Sequence, residues 1–374
     1  MKQNVTHKLI LAATAALTLT DHLAADTGQP ASAAVEVIPE AESGQIGEIV
    51  DLTLQLLQQR YGDNLARRGV HPKDHGCVKA NLVVNADLPK AYQRGVFAVP
   101  GKSYDAWVRF SNATGTVGSD VAPNGANSSR GMAIKLMGVS GEPLLPQPGA
   151  ITQDFLLINQ PMFAFANVAE YLELTRLQVL HHDDNSKIFP ALFANPNADK
   201  AETARIVQGI AQTSMGSPVE SRYFSASPFL FGSDAVVKFG VTPRNPDSTP
   251  VPPNPSANYL RDALRKSLDV NTGKPAVFDF RVQLRTADNL SIENASAQWP
   301  ESAAPFQTVG TLTIPTQDFD NPLRITECEH LVFTPWHGIA EHRPLGGINR
   351  LRLGVYKASS QRRAEAHEPS GFPR

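Results

Sequence analysis

Apolar residues change their period along this chain, and the change marks out its elements. In IGEIVDLTLQLLQQRYGD (46–63), Ile49, Leu52 and Leu56 recur three and four residues apart and Gly62 follows, which predicts a helix with a glycine stop. Beyond residue 79 the period falls to two. Strands are expected in KANLVVNADLP (79–89), YDAWVRFSNA (104–113), SSRGMAIKLMGVSGE (128–142), and QDFLLINQPMFAF (153–165, broken at Pro161), then in DAVVKFGVTP (234–243) and QTVGTLTIP (307–315). The cleanest alternation is VFDFRVQLRT (277–286). Phe278, Phe280, Val282 and Leu284 face one way there, and Asp279, Arg281, Gln283 and Arg285 the other.

Helical periods return in NVAEYLELTRLQVL (167–180), ANYLRDALRKSLDV (257–270) and LGGINRLRLGVYKASSQRR (345–363). The last of these ends in basic residues, as a helix C-terminus prefers. Residues 183–220 read as mostly helical and polar, without a motif. The proline-rich TPRNPDSTPVPPNPS (242–256) reads as a surface excursion rather than a domain linker. Roughly seven or eight strands, with helices between and after them and no internal repeat, predict one α+β domain built on a large antiparallel sheet or barrel.

Composition narrows the function classes. The 374 residues are 41% apolar, enough for a core, and the 29 prolines and 26 glycines imply many turns and long loops. A net charge of −2 offers no basic field, which excludes a nucleic-acid binder. At the N-terminus MKQNVTHK is basic, LILAATAALTLT is apolar and DHLAADT and PASAA are small, the order of an export signal with cleavage near Ala25 or Ala33. Residues 1–33 are therefore expected to be a leader directing the protein to the periplasm, with a cytoplasmic location as the alternative. An arm over 34–45, a domain over 46–366 and a tail over 367–374 follow. The apolar run is too short for a bilayer, which needs ~20 residues, and no other segment is expected to cross one. Two cysteines, Cys77 and Cys328, make no metal motif by themselves. They are either one disulfide or, the reading favoured here, two small buried apolar residues.

Arg352 and Tyr356 lie four apart on the last helix, so they share a face. A guanidinium beside a phenol favours the phenolate, a hard ligand for ferric iron. Alone, such a pair is more often a surface contact. The stretch RRGVHPKDHGCVKANLVV (67–84) changes its weight. Arg68, His71, Lys73 and Gly76 stand in the order of the catalase distal segment. AWVRFSNA, SSRGMAIKL, QDFLLINQPMF, YFSASPFLFGSDAVVKFGVTP and RLRLGVYKASSQRR resemble further catalase segments in the same order. The chain thus resembles catalase-like haem proteins, most of all the short bacterial catalase-related group, to whose endings PWHGIAEHRPLGGINRLRLGVY is similar.

The resemblance implies an antiparallel barrel of the catalase type with flanking helices, and one haem b. It makes Tyr356 the axial iron ligand and Arg352 the group that keeps it ionised. His71 becomes the distal general base, oriented by Ser111. Arg68, Arg109 and Arg363 become clamps for the haem propionates, a role suited to bidentate guanidinium. Phe163 falls where distal aromatics pack, and Val70 where a valine narrows the channel. A gapless count puts the catalase distal asparagine on Ile158. Asn159, one residue on, needs a bulge to reach the same pocket, and it is the residue expected to serve there. The acid of the catalase channel falls on Ser128, which argues against very fast dismutation of hydrogen peroxide. The C-terminal helical region of full-length catalases has no counterpart, so a monomer or small homo-oligomer is expected.

The function implied is haem-dependent turnover of hydrogen peroxide or an organic hydroperoxide, of catalase or peroxidase type, with a small-molecule electron donor in the second case. The alternatives are a fatty-acid hydroperoxide dehydratase resembling allene oxide synthase and a haem-binding protein without activity. Other motifs read as ordinary. His75 is expected in a loop, because Pro72 and Gly76 disfavour a helix that would pair it with His71. HHDD (181–184) reads as a solvated helix end, and NTGKP (271–275) lacks the first glycine of a P-loop. Sequons at Asn112, Asn127, Asn289 and Asn294 matter only in a glycosylating pathway.

Overall fold

The computed structural model describes residues 36–62, 67–122, 124–147, 149–246 and 248–366. The leader expected over 1–33 and the tail over 367–374 lie outside these residues.

Where the period is two, the chain forms β1 (Asp74–Val84), β2 (Ser103–Asn112), β3 (Arg130–Leu136), β4 (Gln153–Ile158), β5 (Tyr223–Phe224), β6 (Phe229–Phe231), β7 (Ala235–Pro243), β8 (Ala276–Leu284) and β9 (Phe306–Ile314). All neighbours are antiparallel, in the order β5-β4-β3-β2-β1-β9-β8-β7-β6. β5 also pairs with β7, so eight of the strands close into a barrel and β6 hangs on β7 as a hairpin. Closure removes the exposed edges that an open sheet would leave. Inward positions fill the barrel with Val108, Phe110, Ile134, Phe155, Phe239 and Phe280, all 0–1% exposed. Each such side chain contributes about 1.5–3 kcal/mol by leaving water.

All seven sequence-expected strands and the four expected helices are present. The short β5 and β6 carry no period of their own, and only the resemblance of YFSASPFLFGSDAVVKFGVTP to a catalase strand pair pointed to strands there. Neither was α6 (Pro322–His330), which opens on Asn321 accepting from the Arg324 N–H and on Pro322 in its first turn. The helical stretch between residues 167 and 220 resolves into α2 (Val168–Leu180), α3 (Asn185–Leu192) and α4 (Ala198–Gln212), each begun by a capping side chain, from Asn167, Asp184 and Asn197. α5 (Tyr259–Ser267) packs on β1.

α1 (Glu42–Tyr61), α2 and α7 (Gly347–Ala366) cover the outer face of one side of the barrel. Ile49, Val168, Leu172, Ile348 and Leu351 meet between them. α1 starts four residues before its apolar period does. Glu42 is held there by Arg350 of α7 (2.6 and 2.8 Å), which also pairs with Glu36 and Glu293. Part of the expected arm is therefore a helix tied to the start of α7.

Cys77 of β1 and Cys328 of α6 are joined in a disulfide, with 5.9 Å between their Cα atoms. This corrects the reading of two independent apolar residues. Both sulfurs lie in a buried apolar cluster with Trp107 and Phe333, so burial and pairing are not alternatives here. Among the described residues no helix is long and apolar enough to cross a membrane.

Candidate active site

Antiparallel register lines up two rows of side chains on the outer face of the barrel. Ser111, Gly131 and Ile158 are paired across β2, β3 and β4, and Arg109, Ala133 and Leu156 form the next row on the same face. Below them runs α7, whose Arg352, Tyr356 and Arg363 fall on one side at helical spacing. Between barrel and helix lies a cavity of about 780 Å³ lined by all six of those sheet residues, by Arg68, Val70 and His71, and by the three α7 residues. The sequence-expected site residues Arg68, Val70, His71, Arg109, Ser111, Arg352, Tyr356 and Arg363 thus share one cavity.

His71 precedes β1 with φ 56°, in the left-handed region that a non-glycine residue seldom adopts. Its Nδ1 lies 2.9 Å from Ser111 Oγ. A Cβ on residue 131 would come within 2.6 Å of the ring and 2.8 Å of that hydroxyl, so glycine is what leaves room for the pair. The pKa of His71 is pushed down to about 3. Removal from water is the largest cause, and the guanidiniums of Arg109, Arg352 and Arg68 add to it. The imidazole is therefore neutral over the whole physiological range.

Arg109 is 3% exposed, and its Nε and Nη2 have no hydrogen-bond partner among the described residues. Burial, with Arg68 nearby, pushes its pKa down to about 9. A buried guanidinium in this state calls for an anion. Arg68 gives Nη1 to both Glu329 carboxylate oxygens (2.9 and 3.0 Å) and Nη2 to the Cys328 and Leu331 carbonyls (3.1 and 2.9 Å). Arg363 donates to the Leu331 carbonyl at 3.4 Å. Its pKa is pushed down to about 10 by burial and by Arg68.

Arg352 donates to Asn349 Oδ1 (3.0 Å) and lies 5.5 Å from the centre of the Phe163 ring. Burial raises the pKa of the Tyr356 hydroxyl, and Arg352 opposes that rise. A second cavity, of about 1240 Å³, adjoins the first. It shares Val70, His71, Ile158, Arg352, Val355 and Tyr356 with it and adds Phe163. Neither lining contains a carboxylate.

Two expectations are corrected. Asn159 lines neither cavity. Its Oδ1 accepts from the Arg130 N–H (2.7 Å) and the Ser129 hydroxyl (3.2 Å). β4 pairs with β3 without a register shift, so no bulge turns Asn159 round, and Ile158 faces the cavity instead. His75 is no loop histidine. It sits in β1, 1% exposed, with Nδ1 3.7 Å from Asp120, and burial pushes its pKa down to about 4 against the pull of that carboxylate. HHDD is only partly solvent: Asp183 chelates Arg60 of α1 at 2.6 and 2.7 Å. Ser128 accepts from Arg130 (2.8 Å), outside both linings.

Gly131 and Glu329 escaped the sequence reading. The small residue between two strand neighbours was the only signal for the first. The second had none, because its helix was not foreseen.

Charge and donor set fit a largely apolar cofactor that bears carboxylates. Val70, Ala133, Leu156, Ile158 and Val355 supply apolar walls, Arg109 has buried donors without a partner among the described residues, and Tyr356 presents a phenolic oxygen, a donor type that suits ferric iron.

No family model matches the chain, and no curated protein does at a significant level. Solved structures do. A fungal catalase superposes with a TM-score of 0.63 at 17% identity, over 79% of this chain and 59% of the catalase. A bacterial catalase gives 0.61 at 16%, over 80% and 58%. Catalase A from Saccharomyces cerevisiae gives 0.59 at 16%, over 82% and 61%. The chain has the catalase fold and spans about three-fifths of the length of these catalases.

Proposed function

We propose that this protein is a haem-dependent hydroperoxide oxidoreductase. The observation that carries the proposal is the cavity itself: a neutral histidine, a half-buried tyrosine beside an arginine, and three further arginines, one with buried donors unpaired among the described residues, on one catalase fold. Tyr356 Oη would hold the iron of a haem b, with Arg352 stabilising its anion. Arg68, Arg109 and Arg363 would hold the propionates, Arg68 by exchanging Glu329 for one of them. When bound, haem supplies the redox chemistry that no side chain of this chain can.

The protein's own part is proton handling and exclusion of water. Ser111 occupies His71 Nδ1, which leaves Nε2 as the nitrogen that accepts a proton from one peroxide oxygen and returns it to the other. The depressed pKa keeps the ring neutral before the substrate arrives, and with Nδ1–H donated to Ser111 the free Nε2 would be the proton acceptor. Val70 and Phe163 narrow the space around it. The Cys77–Cys328 disulfide supports export to an oxidising compartment.

The test is an absorption spectrum after haem loading, with an oxygen electrode and peroxide. A Soret band that changes in Tyr356→Phe, and peroxide consumption lost in His71→Ala, are expected. Protein that takes up no haem overturns the reading.

A further inference from the structure

α6 has little of its own to hold it down. Of its nine residues only Cys328 is buried, while Leu323 and Ile325 stand 71% and 42% exposed. Its other polar side-chain ties, among the described residues, are Arg324, which donates to Gln317 at 3.2 Å and lies over Trp107, and Glu329. Yet this helix ends on the arginines of the cavity. Arg68 aims both terminal nitrogens at residues 328–331, and Arg363 donates there as well. The other sulfur belongs to Cys77, the cross-strand partner of Arg109. The disulfide therefore has one end beside each of two arginines. Arg68 disfavours the charge of Arg109 and Arg363, and Glu329 favours it at both. A guanidinium without fixed acceptors turns away from such neighbours, so residues 328–331 are what seat Arg68.

We propose that the Cys77–Cys328 disulfide is a latch on the arginine end of the cavity: closing it docks α6, and docked α6 seats Arg68. Cys77 and Cys328 are then positioning residues that act through Arg68. Closure passes two protons and two electrons from the thiols to a disulfide-bearing oxidant, which leaves as a dithiol. With α6 undocked the thiols meet that oxidant. Once joined, the two residues are 3% and 1% exposed, which shuts a reductant out. Resting on the function proposed above for the identity of the cofactor, haem is retained firmly only after this oxidation.

The experiment compares the parent with the double variant Cys77→Ser, Cys328→Ser. Without cofactor, amide hydrogen exchange is expected to show residues 322–331 losing protection in the variant while β2, β3 and β8 keep theirs, and Arg68 to react with phenylglyoxal in the variant alone. After loading, haem is expected to pass from the variant to a scavenging apo-globin about tenfold faster than from the parent. In an Arg68→Gln background the cysteine changes are expected to add nothing, because they act through Arg68, whereas a generally weakened fold would add its own effect. Unchanged exchange at 322–331, equal haem release by parent and variant, or an additive effect in Arg68→Gln overturns the proposal. Loss of protection in the barrel strands as well overturns it too, because the bond then staples the whole fold. Uptake of no haem by either protein, with α6 freed and Arg68 reactive in the variant, upholds the latch and overturns the haem reading.

Discussion

His71 and Ser111 are locked together, Nδ1 to Oγ at 2.9 Å, over a floor that glycine alone can supply. The pair fixes which ring nitrogen is free. Removing the hydroxyl should leave the histidine present but loosely aimed. Ser111→Ala is expected to lower peroxide kcat/KM about tenfold, the usual cost of losing an orienting partner. His71→Ala should cost on the order of 10²–10⁴. Gly131→Ala should behave more like the second than the first, because its methyl displaces the ring. A Ser111→Ala enzyme as slow as His71→Ala would mean that the serine does more than orient.

Arg109 should have opposite effects with and without cofactor. In the cofactor-free protein its Nε and Nη2 are buried and unpaired. Arg109→Met should therefore raise the stability of that form by about 1–3 kcal/mol, measured by urea unfolding. The same variant should bind haem more weakly, measured by titration of the Soret band. A variant less stable than the parent in both forms would contradict the account.

Acid should destabilise the fold through its buried histidines. His71, His75 and His342 have pKa values pushed down to about 3, 4 and 4 from the ordinary 6.5. Burial is the first cause in each. Between those values and 6.5 the unfolded chain binds more protons than the folded one, so stability falls as pH drops through 6.5 and the loss levels off below about 3. Each histidine contributes about 1.4 kcal/mol per pH unit within its window. Glu36 acts in the same direction: burial pulls its pKa up, but Arg343, Arg350 and the Gly346 N–H hold it down. Urea unfolding at several pH values between 7 and 4 measures the slope. His75→Phe, which removes no hydrogen bond, should flatten it by one histidine's share.

Asn159 and Ile158 separate an aligned position from a facing one. Asn159→Ala should cost about 1 kcal/mol of stability, through the lost bonds to Arg130 and Ser129, and leave peroxide turnover nearly unchanged. Ile158→Ala enlarges both cavities and should alter KM without lowering stability as an interior residue would.

The legible parts of this molecule are those where a period repeats. β2 and β8 were readable because alternate residues meet different media, and α7 because its site residues recur on one face. What could not be read depends on partners distant in sequence. β5 is two residues long and exists because β4 and β7 both reach it. The side that Asn159 faces follows from the absence of a bulge, which no spacing reveals. Arg68 was readable as a carboxylate binder, yet its present partner, Glu329, comes from a helix 261 residues away. The burial of His75 follows from Asp120, on a loop whose composition reads as solvent.

The disulfide between Cys77 and Cys328 spans 251 of the chain's 374 positions. Seven of the eight barrel strands after β1, and every cavity-lining residue from Arg109 to Leu157, lie inside that covalent ring. A protease that cuts one peptide bond anywhere within it opens the ring but releases nothing. Both pieces remain one molecule, held around the cavity, and part only when a reductant reaches the sulfurs.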